Sequence, residues 1–315
     1  MTRMRFGIQT SLDGVEWRAL EDFWRFLDRE TAFHSAWTYD HFVPPGGAQD
    51  PNGSCFEGWT ALAALAGVTR RIRIGCLVTG VTYREPAVLA KMAATVDHAS
   101  AGRLEFGIGA AWHEGEHRMY GIPFPPVRER QDRLEEALQA IRLLFDSEGP
   151  VDFAGRYYTL RQAAFLPKTV QRPHPPIMVG GGGERRTLRA CARYGDVMNV
   201  SGTPAIVRRK IEVLEAHCRD AGRDPAEIEK TTFGPVVVSD NASFVERVAG
   251  LVGRGFGLSP EEAQRELPIG PAGHVREVVE RYAEAGVTTM IMTAQGPWKR
   301  EVYERINAGL VAGLA

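Results

Sequence analysis

Short apolar runs alternate with stretches of helical period along most of this chain, and that alternation limits the fold more than any other feature. Apolar runs at 4–10, 35–39, 72–78, 104–108, 177–179, 196–200, within 230–238 and at 288–292 read as strands. Between them, segments such as 17–33 carry Trp17, Leu20, Phe23, Trp24 and Leu27 on one helical face, and 127–145 carries Leu134, Ala137, Leu138, Ile141, Leu144 and Phe145 on another. Pro86 opens a further helix, as proline is tolerated in a first turn. A strand followed by a helix and then another strand makes a parallel sheet. Eight such units predict a single (β/α)8 TIM barrel over residues 1–315, with insertions near 43–55, 113–126, 151–176 and 240–271. An open doubly wound sheet is the competing arrangement, but no GxGxxG follows the first strand. A barrel would carry its site at the carboxyl ends of the strands.

Composition narrows the function classes. With a net charge of −1 the chain has no basic field for nucleic acid or an anionic membrane. No apolar run approaches the roughly 18 residues of a membrane span. The first ten residues enter a strand without the apolar core of a signal peptide. Cys55, Cys76, Cys191 and Cys218 are scattered, as free thiols in a reducing compartment would be. A cytoplasmic enzyme acting on a small molecule is the expectation.

Three strand ends carry chemistry-bearing residues. The strand at 104–108 runs into Gly109, Ala110 and Ala111, which let a ligand approach the backbone, and then into Trp112, His113 and Glu114. Asp40 and His41 end the second strand. A histidine there can bond a substrate hydroxyl or take its proton, with the neighbouring acid fixing its tautomer; the plainer reading is a loop histidine. Gly180, Gly181, Gly182 and Gly183 follow the fifth strand and open a helix, a turn suited to a phosphate, with Arg185 and Arg186 near enough for one to reach it. His113 to His117 matches HExxH, but its central Gly115 and the prolines at 123–126 are foreign to the long helix of a zinc protease, so no metal is expected. Leu77, Val78, Thr79 and Gly80 read on their own only as the close of a core strand.

Taken together, segments 35–42, 74–126 and 175–200 resemble the bacterial luciferase-like flavin and deazaflavin oxidoreductases. The W-x-x-D-H run of Trp37–His41, with WHEGEH and GIPFP, is most similar to the branch that uses the deazaflavin coenzyme F420. The resemblance implies a hydride transferred between F420 and an unidentified small organic substrate. It implies a bulge under the cofactor ring at Leu77, Val78 and Thr79, often through a non-prolyl cis peptide, with Gly109 and Ala110 against the ring. The four glycines would take the cofactor phosphate. Asp40 and His41 would face cofactor and substrate, with His41 handling the proton, and Trp112, His113 and Glu114 would border the substrate pocket. A homodimer is also implied. Two alternatives share the resemblance: an FMN-dependent monooxygenase served by a separate flavin reductase, and a non-catalytic flavin-binding protein. A barrel metallohydrolase is a third. A basic groove at the mouth, from Lys168, Arg172 and Arg185, would favour the acidic tail of F420. The loops at 43–53, 119–126 and 151–176 are expected to set the substrate.

Overall fold

The computed structural model describes residues 4–46 and 52–311. The sequence also predicts a closing helix over 298–314; its last residues, 312–314, and residues 47–51 of the insertion near 43–55 lie outside the described residues. Eight strands form the barrel: β1 (Arg5–Thr10), β2 (Ser35–Thr38), β3 (Arg73–Cys76), β4 (Leu104–Gly109), β5 (Ile177–Gly180), β6 (Val197–Val200), β7 (Glu229–Gly234) and β8 (Thr289–Ala294). Each pairs in parallel with its neighbours, β8 returning to β1 with Arg5 opposite Thr289, and β3 meeting β4 at Ile74 and Leu104. The ring is therefore closed. This is the expected (β/α)8 barrel.

The surrounding helices are α1 (Trp17–Glu30), α2 (Gly58–Val68), α3 (Pro86–Ala99), α4 (Glu114–Met119), α5 (Val127–Asp146), α6 (Thr187–Tyr194), α7 (Pro204–Ala221), α8 (Ala242–Phe256), α9 (Pro260–Glu266), α10 (Ala272–Glu284) and α11 (Arg300–Ile306). The stripe read from 127–145 is buried along α5, as expected of a helix laid on a sheet. Differences from expectation include the following three. β3 stops at Cys76 rather than 78: the chain leaves the ladder at Leu77 and Val78, which are joined by a cis peptide, and Thr79 rejoins it opposite Ile108. A short helix, α4, stands where only an irregular insertion was expected, capped by the imidazole of His113, which accepts the Glu116 N–H at 3.0 Å. The closing helix is regular only to Ile306 and ends in a wider turn, Asn307–Val311.

Two apolar regions hold the barrel. The larger lies between strands and helices. The smaller fills the barrel interior with Trp37, Leu77, Met178, Val197 and Ile291. Trp37 has room only because β3 carries a glycine beside it: a Cβ on Gly75 would meet the indole ring. A core this close-packed has no slack for the extra methyl. Leu77 belongs to this interior cluster, so the segment after β3 is the floor on which anything in the mouth must rest. Among the described residues no helix is long and apolar enough to cross a membrane.

Candidate functional site

A cavity of about 480 Å³ opens at the carboxyl ends of the strands. The strand ends that line it are those after β2, β3, β4 and β5, together with the last residues of β6 and β7. Its floor is Leu77 and Val78. Gly109 and Gly180 face each other across β4 and β5, and the Val78 side chain covers both. A Cβ on Gly180 would come within 2.7 Å of Val78, and one on Gly109 within 2.9 Å. Glycine at these two positions is what lets the bulge lie flat against the barrel.

The wall on the β5 side is the glycine turn. Gly181 has φ of +120°, a conformation costly for residues with a side chain. A Cβ on Gly183 would come within 2.7 Å of the Thr187 hydroxyl. Thr187 opens α6 and donates to Gln131 at 3.2 Å. The turn thus presents bare backbone ahead of a helix N-terminus, a cradle that a side chain would fill and an anion suits. Neither arginine of the sequence reading closes it: Arg186 turns out to Asp132 and the Arg128 carbonyl, and Arg185 is exposed. Lys210 on α7 is nearer, its Cε 3.5 Å from where a Cβ on Gly182 would stand, and its ammonium bonds Glu184 at 2.8 Å.

The opposite wall holds the titratable groups. Asp40 is buried, and both its oxygens bind the Arg84 guanidinium, at 2.6 and 3.0 Å. Arg84 also reaches Glu57 at 2.5 Å. Burial pushes the Asp40 carboxyl up and Arg84 opposes it; Arg84 is itself driven up by Asp40 and Glu57 against its own burial. The expectation that Asp40 fixes the tautomer of His41 is therefore corrected, because its lone pairs are spent on Arg84. Glu116 does that work. It is buried on α4, and its Oε2 lies 3.0 Å from His41 Nδ1. The same carboxylate accepts the Tyr83 hydroxyl and the backbone N–H groups of Phe42 and Val43. Burial alone would raise Glu116, but the bonds from His41, Tyr83 and Phe42 outweigh it and hold the carboxyl down at about 2. An ionised carboxylate only accepts, so Nδ1 carries the hydrogen and Nε2 is left for the cavity. The ring is packed edge-on by Trp112 at 5.3 Å and Tyr39 at 5.5 Å.

Of the residues expected at the substrate pocket, only Trp112 lines the cavity. His113 is one layer back, its ring 5.7 Å from that of His41. Glu114 is exposed on the outer side of α4. In a six-residue helix capped by His113, the inward position falls two residues later, at Glu116. His113 caps α4, while His117 is buried with Nε2 2.6 Å from the Thr82 hydroxyl. Among the described residues, no cluster of three or more His, Cys, Asp or Glu is placed to hold a metal. Glu116, Tyr83 and Arg84 were missed from the sequence, as were Asn199 and Phe233 on the far wall. The spacing of His113 and Glu116, a cap and its third helical residue, was the one available signal.

The basic groove is also corrected. Lys168 bonds the Leu144 carbonyl at the carboxyl end of α5, and the Arg172 side chain bonds the Thr169 and Gln171 carbonyls. Both lie in the connection from α5 to β5, which is at the amino-terminal end of the barrel, away from the mouth. No residue of 151–176 lines the cavity.

Residues 2–265 match the luciferase-like monooxygenase family. The chain is 36% identical over 196 residues to the phthiodiolone/phenolphthiodiolone dimycocerosates ketoreductase of Mycobacterium tuberculosis, over 61% of this chain and 50% of that one. It thus spans about half the length of the curated relatives it matches. An F420-dependent secondary alcohol dehydrogenase, solved with an F420–acetone adduct, superposes with a TM-score of 0.83 at 22% identity, covering 98% of this chain and 99% of that one. The oxygenating constituent of 3,6-diketocamphane monooxygenase from Pseudomonas putida, solved with FMN, superposes with a TM-score of 0.73 at 18% identity, covering 99% of both chains. At these identities the solved structures share the fold. By the match over residues 2–265, the chain belongs to the luciferase-like monooxygenase family.

Proposed function

We propose that this chain is an F420-dependent oxidoreductase that moves a hydride between the deazaflavin and the carbon of a small organic carbonyl or alcohol. The observation that carries the reading is His41, held through Nδ1 by an ionised Glu116 and lining the cavity above the Leu77–Val78 floor. Interconverting a ketone and an alcohol needs one hydride and one proton on neighbouring atoms. His41 is the group at the mouth suited to the proton.

The residues present fit the cofactor. Gly181, Gly182 and Gly183, with Thr187, form the phosphate cradle, and Leu77, Val78, Gly109 and Ala110 form the surface for the ring. When bound, the deazaflavin supplies a carbon that takes up or returns a hydride. The protein supplies position and a proton. In the reducing direction His41 Nε2–H gives its proton to the carbonyl oxygen as the hydride reaches the carbon, and Glu116 stabilises the imidazolium beforehand. In the oxidising direction neutral Nε2 takes the hydroxyl proton. Asp40 with Arg84 holds the backbone that carries His41. The ketoreductase and secondary alcohol dehydrogenase among the relatives support this reading by their names.

The second reading is an FMN monooxygenase with a separate flavin reductase, and one observation favours it. Of the three cations expected for an acidic cofactor tail, only Arg185 is beside the glycine turn. A homodimer is proposed under either reading.

Replacing His41 with alanine tests the assignment. Turnover with reduced F420 and a ketone should fall roughly 10²-fold or more, while the Kd for the cofactor stays within about twofold. Equal losses in turnover and cofactor affinity would contradict it.

A further inference from the structure

The charge around the cavity says what kind of substrate it takes. Among the described residues no lysine or arginine lines the cavity, and the lining holds one acid and one histidine, Asp40 and His41. Asp40 is matched by Arg84 behind it. His41 has Glu116 at 3.0 Å, so a protonated imidazole is already paired and a neutral one leaves the carboxylate in excess. In neither state does the cavity lining carry a net positive charge. The backbone cradle at Gly181–Gly183 lies on the far wall, where the proposed function puts the cofactor phosphate.

Outside the cavity, beside His41, three large apolar side chains are exposed on a segment that also exposes Glu114 and Arg118. Trp112 is 63% exposed, Met119 56% and Tyr120 55%. This patch is continuous with the site: Tyr120 packs on Phe42 at 5.1 Å, and Phe42 on Tyr83 at 5.0 Å, a residue of the cavity wall. Large apolar side chains grouped on a surface mark a place where something binds. Here the patch leads to a lone histidine nitrogen.

We propose that the substrate is an uncharged molecule with one carbonyl or secondary hydroxyl on an apolar body, the oxygen bonded by His41 and the body laid on Trp112 and Tyr120. An anionic substrate of the same length meets no counter-charge in the cavity lining and loses its hydration against Trp112 and Tyr120. The inference rests on the reading of this cavity as the hydride-transfer site, but its test does not depend on F420 turnover.

Binding of methyl ketones of four to ten carbons, and of keto acids of matched length, is measured by tryptophan emission. It is followed in the protein alone and with F420 or FMN added. The Trp112→Phe variant identifies the signal of the exposed indole. Affinity should rise about threefold per added methylene in the ketone series, and each keto acid should bind at least about tenfold more weakly than its ketone. Trp112→Lys should reverse that preference. Keto acids bound as tightly as ketones, or ketone affinity that does not change with length, would overturn the proposal. If F420 fails to bind while the ketone series behaves as described, the cofactor reading fails and the substrate class stands.

Discussion

Two buried carboxylates, one at each end of the barrel, do the same chemistry to different ends. Asp28, near the end of α1, accepts the backbone N–H groups of Arg70, Arg71 and Ile72 at 3.0, 2.7 and 2.9 Å, pinning the turn that leads into β3. Glu116, at the mouth, accepts the N–H groups of Phe42 and Val43 and so pins the turn that leaves β2. Burial opposes both charges, and in both the hydrogen bonds outweigh it and lower the carboxyl. The difference lies in the remaining partners. Those of Asp28 are backbone throughout, apart from the nearby charge of Arg71. Glu116 also takes the side chains of His41 and Tyr83, both of which line the cavity. A buried acid is therefore not a site by virtue of its burial. What it holds in place decides.

Glu116→Gln is the sharpest way to break this comparison. An amide offers His41 either its oxygen or its NH₂, so the tautomer is no longer imposed, and turnover should fall roughly 10²-fold with a shifted pH–rate profile. The acid limb of stability should change with it. Glu116 is lowered from 4.5 to about 2, so its contribution, about 3 kcal/mol, is fully present above pH 4.5 and is lost as pH falls toward 2. Urea midpoints between pH 2 and 6 should rise with pH in the wild type and more gently in the variant. A variant that loses stability alone, with turnover and pH profile intact, would make Glu116 a second Asp28.

Asp28→Asn should do the reverse. Its amide cannot serve three N–H donors as a carboxylate does, and about 2–3 kcal/mol of stability should be lost in urea unfolding. The kcat of the folded fraction should not move. A changed pH–rate profile would show that the two ends are coupled.

The smallest effect is expected at the glycine turn. Gly183→Ala brings a methyl within 2.7 Å of the Thr187 hydroxyl, and the cofactor Kd should rise by about tenfold, with the unfolding midpoint little changed. An unchanged Kd would mean that the phosphate is held elsewhere.

The barrel was legible because strand and helix periods differ and the units repeat: seven of the eight strands lie within about two residues of their expected limits at both ends, and β7 lies within its wider window apart from its first residue. Its glycine turn and the end of β2 were legible as strand ends. Glu116 was not, because choosing it over Glu114 depends on where a six-residue helix begins, and two residues of slip put the other acid in the inward position. Arg84 was invisible for a different reason. A charge buried by a partner 44 positions away leaves no local pattern. Lys168 and Arg172 were misplaced although the order of elements contains the answer: they follow a helix and precede a strand, and such connections lie at the end of a barrel opposite its site.

The central claim is that the cavity over Leu77 and Val78 takes a deazaflavin, and a paired titration of the purified apoprotein with F420 and with FMN, followed by cofactor fluorescence, tests it most directly. The account predicts micromolar or tighter binding of F420, and markedly weaker binding of FMN. Preference for FMN would contradict it and move the chain to the monooxygenase reading with its reductase.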